Sequence, residues 1–287
     1  MAANNFFLPE NKNVHSQKDF LEKEEQGTWE SINYYPDEFK SPNNTPLIIN
    51  GKNFINISFK NTLIRNVNFI NCSFSNCLLI GSVIESCEFV DCEFLKTNTH
   101  KIKIKNSLID PRQFSKNFEL KHDANIAVDL FQELYKNSKK EEQPHYANES
   151  LYRMKEALGY NLNYKLKVKK ITPIQFLYEK IIDKINKITT GYGLKLSRIL
   201  LFVLVSILLF SLLNFCFRED FHNGNNPNAN SFVDAIYFTC VTITTLGYGD
   251  ITPTSITTKI IIIFESLFGF LFLSLFVSAF INKILRS

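Results

Sequence analysis

Six cysteines are spread over 287 residues without one Cys-x-x-Cys pair, which removes the spacing that structural zinc sites use. No glycine-rich phosphate-binding fingerprint and no nucleophile–base constellation occurs, so no catalytic residues stand out and an enzyme is not expected. There is no ladder of arginines for a membrane potential to act on. The first 45 residues lack a charged-then-apolar leader pattern and read as an irregular segment. Tryptophan occurs once, at Trp29. The net charge of +4 is small, and its distribution says more than its size.

The chain does contain two long apolar runs. Ile199 to Phe217 is 19 residues without a charge, long enough to cross a hydrocarbon layer as a helix. Ile260 to Ile281 is 22 residues, interrupted only by Glu265. Between them, Ser231 to Ile243 is apolar but too short to span, and suits a helix that enters halfway and turns back. Leu151 to Arg198 holds eleven Lys/Arg against three acids, whereas Arg218 to Lys259 holds two against four. Lys283 and Arg286 follow the second run. Basic flanks stay in the cytoplasm, so both termini are expected inside, in a multi-pass protein of the cell (plasma or inner) membrane.

Between the short run and the second long one lies Thr244-Thr245-Leu246-Gly247-Tyr248-Gly249-Asp250. Four such strands around an axis can replace the hydration shell of a K⁺ ion with oxygen ligands. Thr245 offers a hydroxyl and a carbonyl; Leu246, Gly247 and Tyr248 offer carbonyls. Lining one axis with them requires alternate residues in left-handed backbone angles, which explains Gly247 and Gly249. A near-copy, Thr189-Thr190-Gly191-Tyr192-Gly193, follows a charged amphipathic stretch and precedes no acid. It reads as a turn with a glycine cap.

Residues 198–286 thereby resemble the potassium-channel pore family. The resemblance implies a two-transmembrane pore domain over residues 191–287 with a re-entrant pore helix. It implies passive K⁺ conduction through a selectivity filter of Thr245, Leu246, Gly247, Tyr248 and Gly249, supported by Thr244 and Asp250. One pore loop per chain is a quarter of such a filter, so a homotetramer in the lipid bilayer is implied. K⁺ is then the only metal, and no cofactor is needed. Gly269, 20 residues beyond Gly249, stands where the family carries its gating hinge; a helix-packing glycine is the simpler alternative. Glu265, one turn earlier, is a pore-proximal acid that either lines the pore or accepts hydrogen bonds from the pore helix. The sequence also departs from the family. Tyr237 and Phe238 stand where many members have tryptophan, and Tyr237 is the expected donor to Asp250. Val241 stands where some bacterial members carry an acid.

The N-terminal half has a period of five. From Ile49 to Ile109, every fifth residue is apolar except Thr99, and a smaller row, including Cys72, Cys77, Cys87 and Cys92, lies two positions before it. Neither helix nor strand has this period, so a repeat architecture is required. The pattern resembles the pentapeptide-repeat family, which implies a right-handed quadrilateral β-helix over residues 46–110, about three coils, with the cysteines as packing residues. Members that mimic DNA need an acidic rod, but residues 49–109 hold seven Lys/Arg against four acids, so no nucleic-acid partner is expected. An unknown cytoplasmic ligand or protein on the β-helix remains open.

Residues 111–171 read as a helical connector, an α-hairpin with its turn at Lys136–His145 and its second helix ending at Gly159. Over 172–190, Thr172-Pro173-Ile174-Gln175 opens an amphipathic helix with an apolar stripe from Ile174 to Ile188, suited to the membrane interface. The fold class is therefore mixed: β-helix, helical connector, two-helix pore. The function implied is a K⁺-selective channel modulated by its cytoplasmic half. A weakly selective monovalent cation channel and a membrane-anchored pentapeptide-repeat scaffold stand as alternatives.

Overall fold

The computed structural model describes residues 12–43, 45–223 and 231–284. Arg286 and the side chain of Lys283 lie outside the described residues, as do the first 11 residues of the expected irregular segment. The chain divides into two compact units meeting between Asp183 and Lys184.

The first unit is a quadrilateral β-solenoid. Three of its sides are parallel four-stranded sheets. One contains Thr28–Glu30, Asn53–Ile55, Ser73–Ser75 and Glu93–Leu95; the next, Glu38–Lys40, Leu63–Arg65, Val83–Glu85 and Lys103–Lys105; the third, Leu47–Asn50, Val67–Ile70, Glu88–Val90 and Leu108–Ile109. The fourth side starts with Asn13–Val14 paired in parallel with Asn33–Tyr34 and continues as single bridges through Asn33, Ser58, Leu78 and Asn98. The five-residue rows are the reason. Every member from Ile49 to Ile109 is buried, and the smaller row is buried from Ile57 onward. Stacked coils place equivalent side chains over one another, so Phe54 lies 4.6 Å from Phe74, and Phe74 lies 4.8 Å from Phe94, centroid to centroid. Each such burial contributes about 1.5–3 kcal/mol.

The corners need backbone that turns. Asn56, Asn61, Asn66, Asn71 and Asn76 all have φ between 51° and 58°, and the left-handed position then recurs every five residues to Asn106. Asparagine tolerates that region better than other residues with a Cβ.

Two expectations are corrected here. Residues 12–43 are not irregular. They form an additional coil that carries Trp29, Tyr34 and Phe39 into the core, and Asn13–Val14 pairs in parallel with Asn33–Tyr34. The solenoid therefore begins at Asn13, and each of its three sheets holds four strands where three coils would give three. A short helix, α1 (Gln17–Glu22), places Phe20 over this end, with ring centroids 5.2–5.7 Å from Trp29, Tyr34, Phe39 and Phe59. Second, the connector helices are longer than the sequence suggests: α2 runs Leu120–Lys140 and α3 Pro144–Lys167. Gly159 does not stop α3. It is buried where the following helix, α4 (Pro173–Thr189), comes close, and Lys180 Nζ donates to the Gly159 carbonyl at 2.7 Å. A Cβ there would meet the Asp183 carboxylate at 2.2 Å.

The C-terminal end of the solenoid is closed by side chains. Phe114 extends the aromatic stack at 4.1 Å from Phe94. Buried Asn117 accepts from the Thr97 N–H at 2.7 Å and donates to the Thr97 carbonyl at 2.9 Å. Asn137 on α2 does the same for Ser107, at 3.2 and 2.7 Å. Two amides thus stand where the next coil's peptides would be. The helix start at Thr172 is as the sequence suggests: Thr172 N–H donates to Gln175 and Gln175 N–H donates to the Thr172 hydroxyl, at 3.1 and 3.2 Å. The stripe of α4 from Ile174 to Ile188 is exposed.

The second unit has three principal helices: α5 (Leu196–Cys216), α6 (Phe232–Ile243) and α7 (Ile256–Ile284). By length and composition α5 and α7 can each cross a membrane, and only 22% and 11% of their most apolar windows are buried. Helices in the core of a soluble protein would be mostly covered, so these faces await another apolar environment.

Candidate functional site: the pore segment

Ser231 caps α6. Its hydroxyl accepts from the Asp234 N–H at 3.2 Å, and Asp234 accepts from the Ser231 N–H at 2.9 Å. The helix then runs to Ile243 and stops at Thr244, whose hydroxyl bonds back to the Cys240 carbonyl at 2.6 Å. From there the chain is non-helical. Thr245, Gly247 and Gly249 have φ of 61°, 55° and 76°, and the residues between them are not left-handed. Left-handed angles at alternate residues are what a row of carbonyls facing one side requires. The Leu246 N–H returns to the Val241 carbonyl at 3.0 Å, anchoring the segment to the helix end. A Cβ at Gly247 or Gly249 would meet nothing within 4 Å, so within one chain the glycines answer to backbone angle and not to crowding. The Leu246 and Tyr248 side chains are exposed.

Tyr237 donates its hydroxyl to Asp250 at 2.8 Å, tying the far end of the segment to α6 as the residue pattern suggests. Gly269 packs on the last residue of α6: a Cβ would lie 2.7 Å from both the Cα and the carbonyl oxygen of Ile243. This gives the glycine a packing reason in an unbroken helix. Glu265 is fully buried and accepts from Asn214 Nδ2 at 3.0 Å; the same amide donates to the Thr239 hydroxyl at 2.9 Å. Sequence reasoning missed Asn214 and Thr239. The signal was available, because a polar residue in each apolar run asks for a partner at membrane depth.

The near-copy at Thr189–Gly193 is a turn. Gly191, Tyr192 and Gly193 are all left-handed in succession, without alternation, and α5 begins at Leu196. The solenoid cysteines are buried thiols; burial pushes Cys87 up to about 11 and Cys77 to about 12. Among the described residues no group of three or more His, Cys, Asp or Glu could hold a metal.

Residues 198–286 match the ion channel family. The matched residues lie within the C-terminal unit. The matched family is one of channels, not of enzymes. A hyperpolarization-activated voltage-gated potassium channel of Methanocaldococcus jannaschii is 59% identical over 46 residues, 16% of this chain and 22% of that protein. Two Arabidopsis thaliana relatives, two-pore potassium channels 5 and 4, are 38% and 39% identical over 85 and 92 residues. These matches cover 30% and 32% of this chain, and 20% and 31% of the relatives. The chain thus spans a fifth to a third of the length of these three relatives.

Proposed function

We propose that the protein is a K⁺-selective channel, conducting passively through a filter formed by Thr245, Leu246, Gly247, Tyr248 and Gly249 of four copies. The observation that carries this reading is the alternating left-handed backbone at Thr245, Gly247 and Gly249 directly after a short apolar helix. Relatives named as potassium channels support the choice of ion. K⁺ is held by backbone carbonyls and the Thr245 hydroxyl. The exposed Leu246 and Tyr248 side chains support completion of the filter by further copies. The basic stretch before α5 supports a cytoplasmic N-terminal half and cytoplasmic termini in the cell membrane. Gly269 acts in gating through its contact with Ile243. The exposed stripe of α4 rests at the cytoplasmic interface, and through it the solenoid, with any ligand it binds, biases opening.

The test is flux in liposomes. Gly247→Ala and Gly249→Ala force a Cβ into left-handed backbone, at roughly 1–2 kcal/mol each, and abolish K⁺ over Na⁺ preference. Gly191→Ala keeps it. Removal of residues 1–110 changes open probability and leaves the ion preference intact. Selective flux from the Gly247 variant refutes the filter. Wild-type flux of Na⁺ equal to K⁺ favours a weakly selective pore, and no flux of either ion favours a membrane-anchored scaffold.

A further inference from the structure

Asn214, Thr239 and Glu265 form a polar cluster that ion coordination does not use. They come from three different helices, α5, α6 and α7, and are 3%, 0% and 0% exposed. One amide group joins them. Asn214 Nδ2 donates to Thr239 Oγ1 at 2.9 Å and to Glu265 Oε2 at 3.0 Å. Asn214 Oδ1 and Glu265 Oε1 are buried and have no hydrogen-bond partner among the described residues. Leucine or valine at all three positions would pack without these polar costs, so the cluster is a departure from the cheapest core.

Its location supplies the reason. Glu265 and Gly269 are one turn apart on α7, and Thr239 and Ile243 are one turn apart on α6. The two helices therefore touch at two successive levels, first through the Asn214 bridge and then backbone to glycine at Ile243. The residue after Ile243 is Thr244, which directly precedes the candidate filter. A hydrogen bond between helices in a membrane is worth only about 1 kcal/mol, too little to hold the bundle together. Such bonds are directional, however, and apolar contacts are not. They fix how far α6 is slid and turned against its neighbours.

We propose that Glu265 is a positioning residue: through Asn214 and Thr239 it locks the pore helix in register against both spanning helices and so holds the filter's geometry. The proposal rests on the channel reading for its functional consequence. It is tested on the full chain in liposomes, with Glu265→Leu, Glu265→Gln, Thr239→Val and the Glu265→Leu/Thr239→Val pair. K⁺/Na⁺ preference and melting midpoint are measured for each. Glu265→Leu and Thr239→Val each reduce the preference about tenfold, and the pair is no worse than the worse single variant, because both break one unit. Glu265→Gln recovers it to within about threefold, since its amide oxygen can accept in place of Oε2.

Wild-type preference in Glu265→Leu overturns the proposal, as does a pair whose effects multiply. A Gln variant as impaired as Leu also overturns it, because charge and not hydrogen-bond geometry would then be at work. Thr239→Val keeps its volume and carries the test if Glu265→Leu does not assemble. If the wild type passes no K⁺, the channel reading fails separately. The positioning role is then judged on melting midpoints, where additive single effects overturn it and non-additive ones sustain it.

Discussion

Replacing Gly269 with alanine puts a carbon where the pore helix already is. The new Cβ would lie 2.7 Å from the Cα of Ile243 and 2.7 Å from its carbonyl oxygen, whereas carbon atoms rest about 3.5–4.0 Å apart. Main-chain atoms cannot swing aside as a side chain can, so α6 and α7 must separate by roughly 1 Å. Overpacking of that kind costs about 1–3 kcal/mol. Alanine is also the better helix former, which returns about 1 kcal/mol. The crowding term is the larger, leaving a net loss of roughly 0–2 kcal/mol, and the displacement falls on the residue before Thr244. The assay is a melting midpoint of the purified protein together with K⁺/Na⁺ flux in liposomes. Both are expected to fall. A glycine needed only as a bend in an otherwise free helix gives the opposite pattern: a higher midpoint, altered opening and an unchanged ion preference. That pattern would refute the close approach.

Asn137→Ala leaves the Ser107 N–H and carbonyl without their partner, and an unfilled buried pair costs about 2–5 kcal/mol; a thermal melt of the full chain that does not move would show that water replaces the amide without loss. Burial holds the Cys77 thiol near 12, so at pH 8 about one thiol in 10⁴ is ionised. Iodoacetamide should therefore label Cys77 only after denaturation, and rapid labelling of the native protein, read by mass spectrometry, would mean that the coil opens.

The repeat was legible because burial on a solenoid follows a period that no other element has. From Ile49 onward the row needs no help from tertiary context. The coil before it was not legible, because ten residues and not five separate Phe39 from Ile49, which breaks the phase. Asn56, Asn61, Asn66, Asn71 and Asn76 were a second rhythm in plain view, readable once one asks which residues can turn left-handed corners. The short helix Ser231–Ile243 could be anticipated from its apolar run, and the Tyr237–Asp250 bond from the resemblance to the pore family. Gly159 misled because a glycine in a helical pattern signals an end only when nothing packs on it, and here α4 does. The Asn214 bridge depends on three segments meeting, which no single stretch of sequence encodes.

The two closures of the solenoid have a consequence for how such a chain can vary. Phe20 covers one end, and the amides of Asn117 and Asn137 finish the other; neither device belongs to the repeat. Between them every coil presents the same surface to the next. Inserting or deleting one whole coil leaves both closures with an equivalent neighbour and changes the length by about 4.8 Å, the spacing of adjacent strands. The length of the solenoid is therefore set by a whole number of coils and can change without redesign of either end.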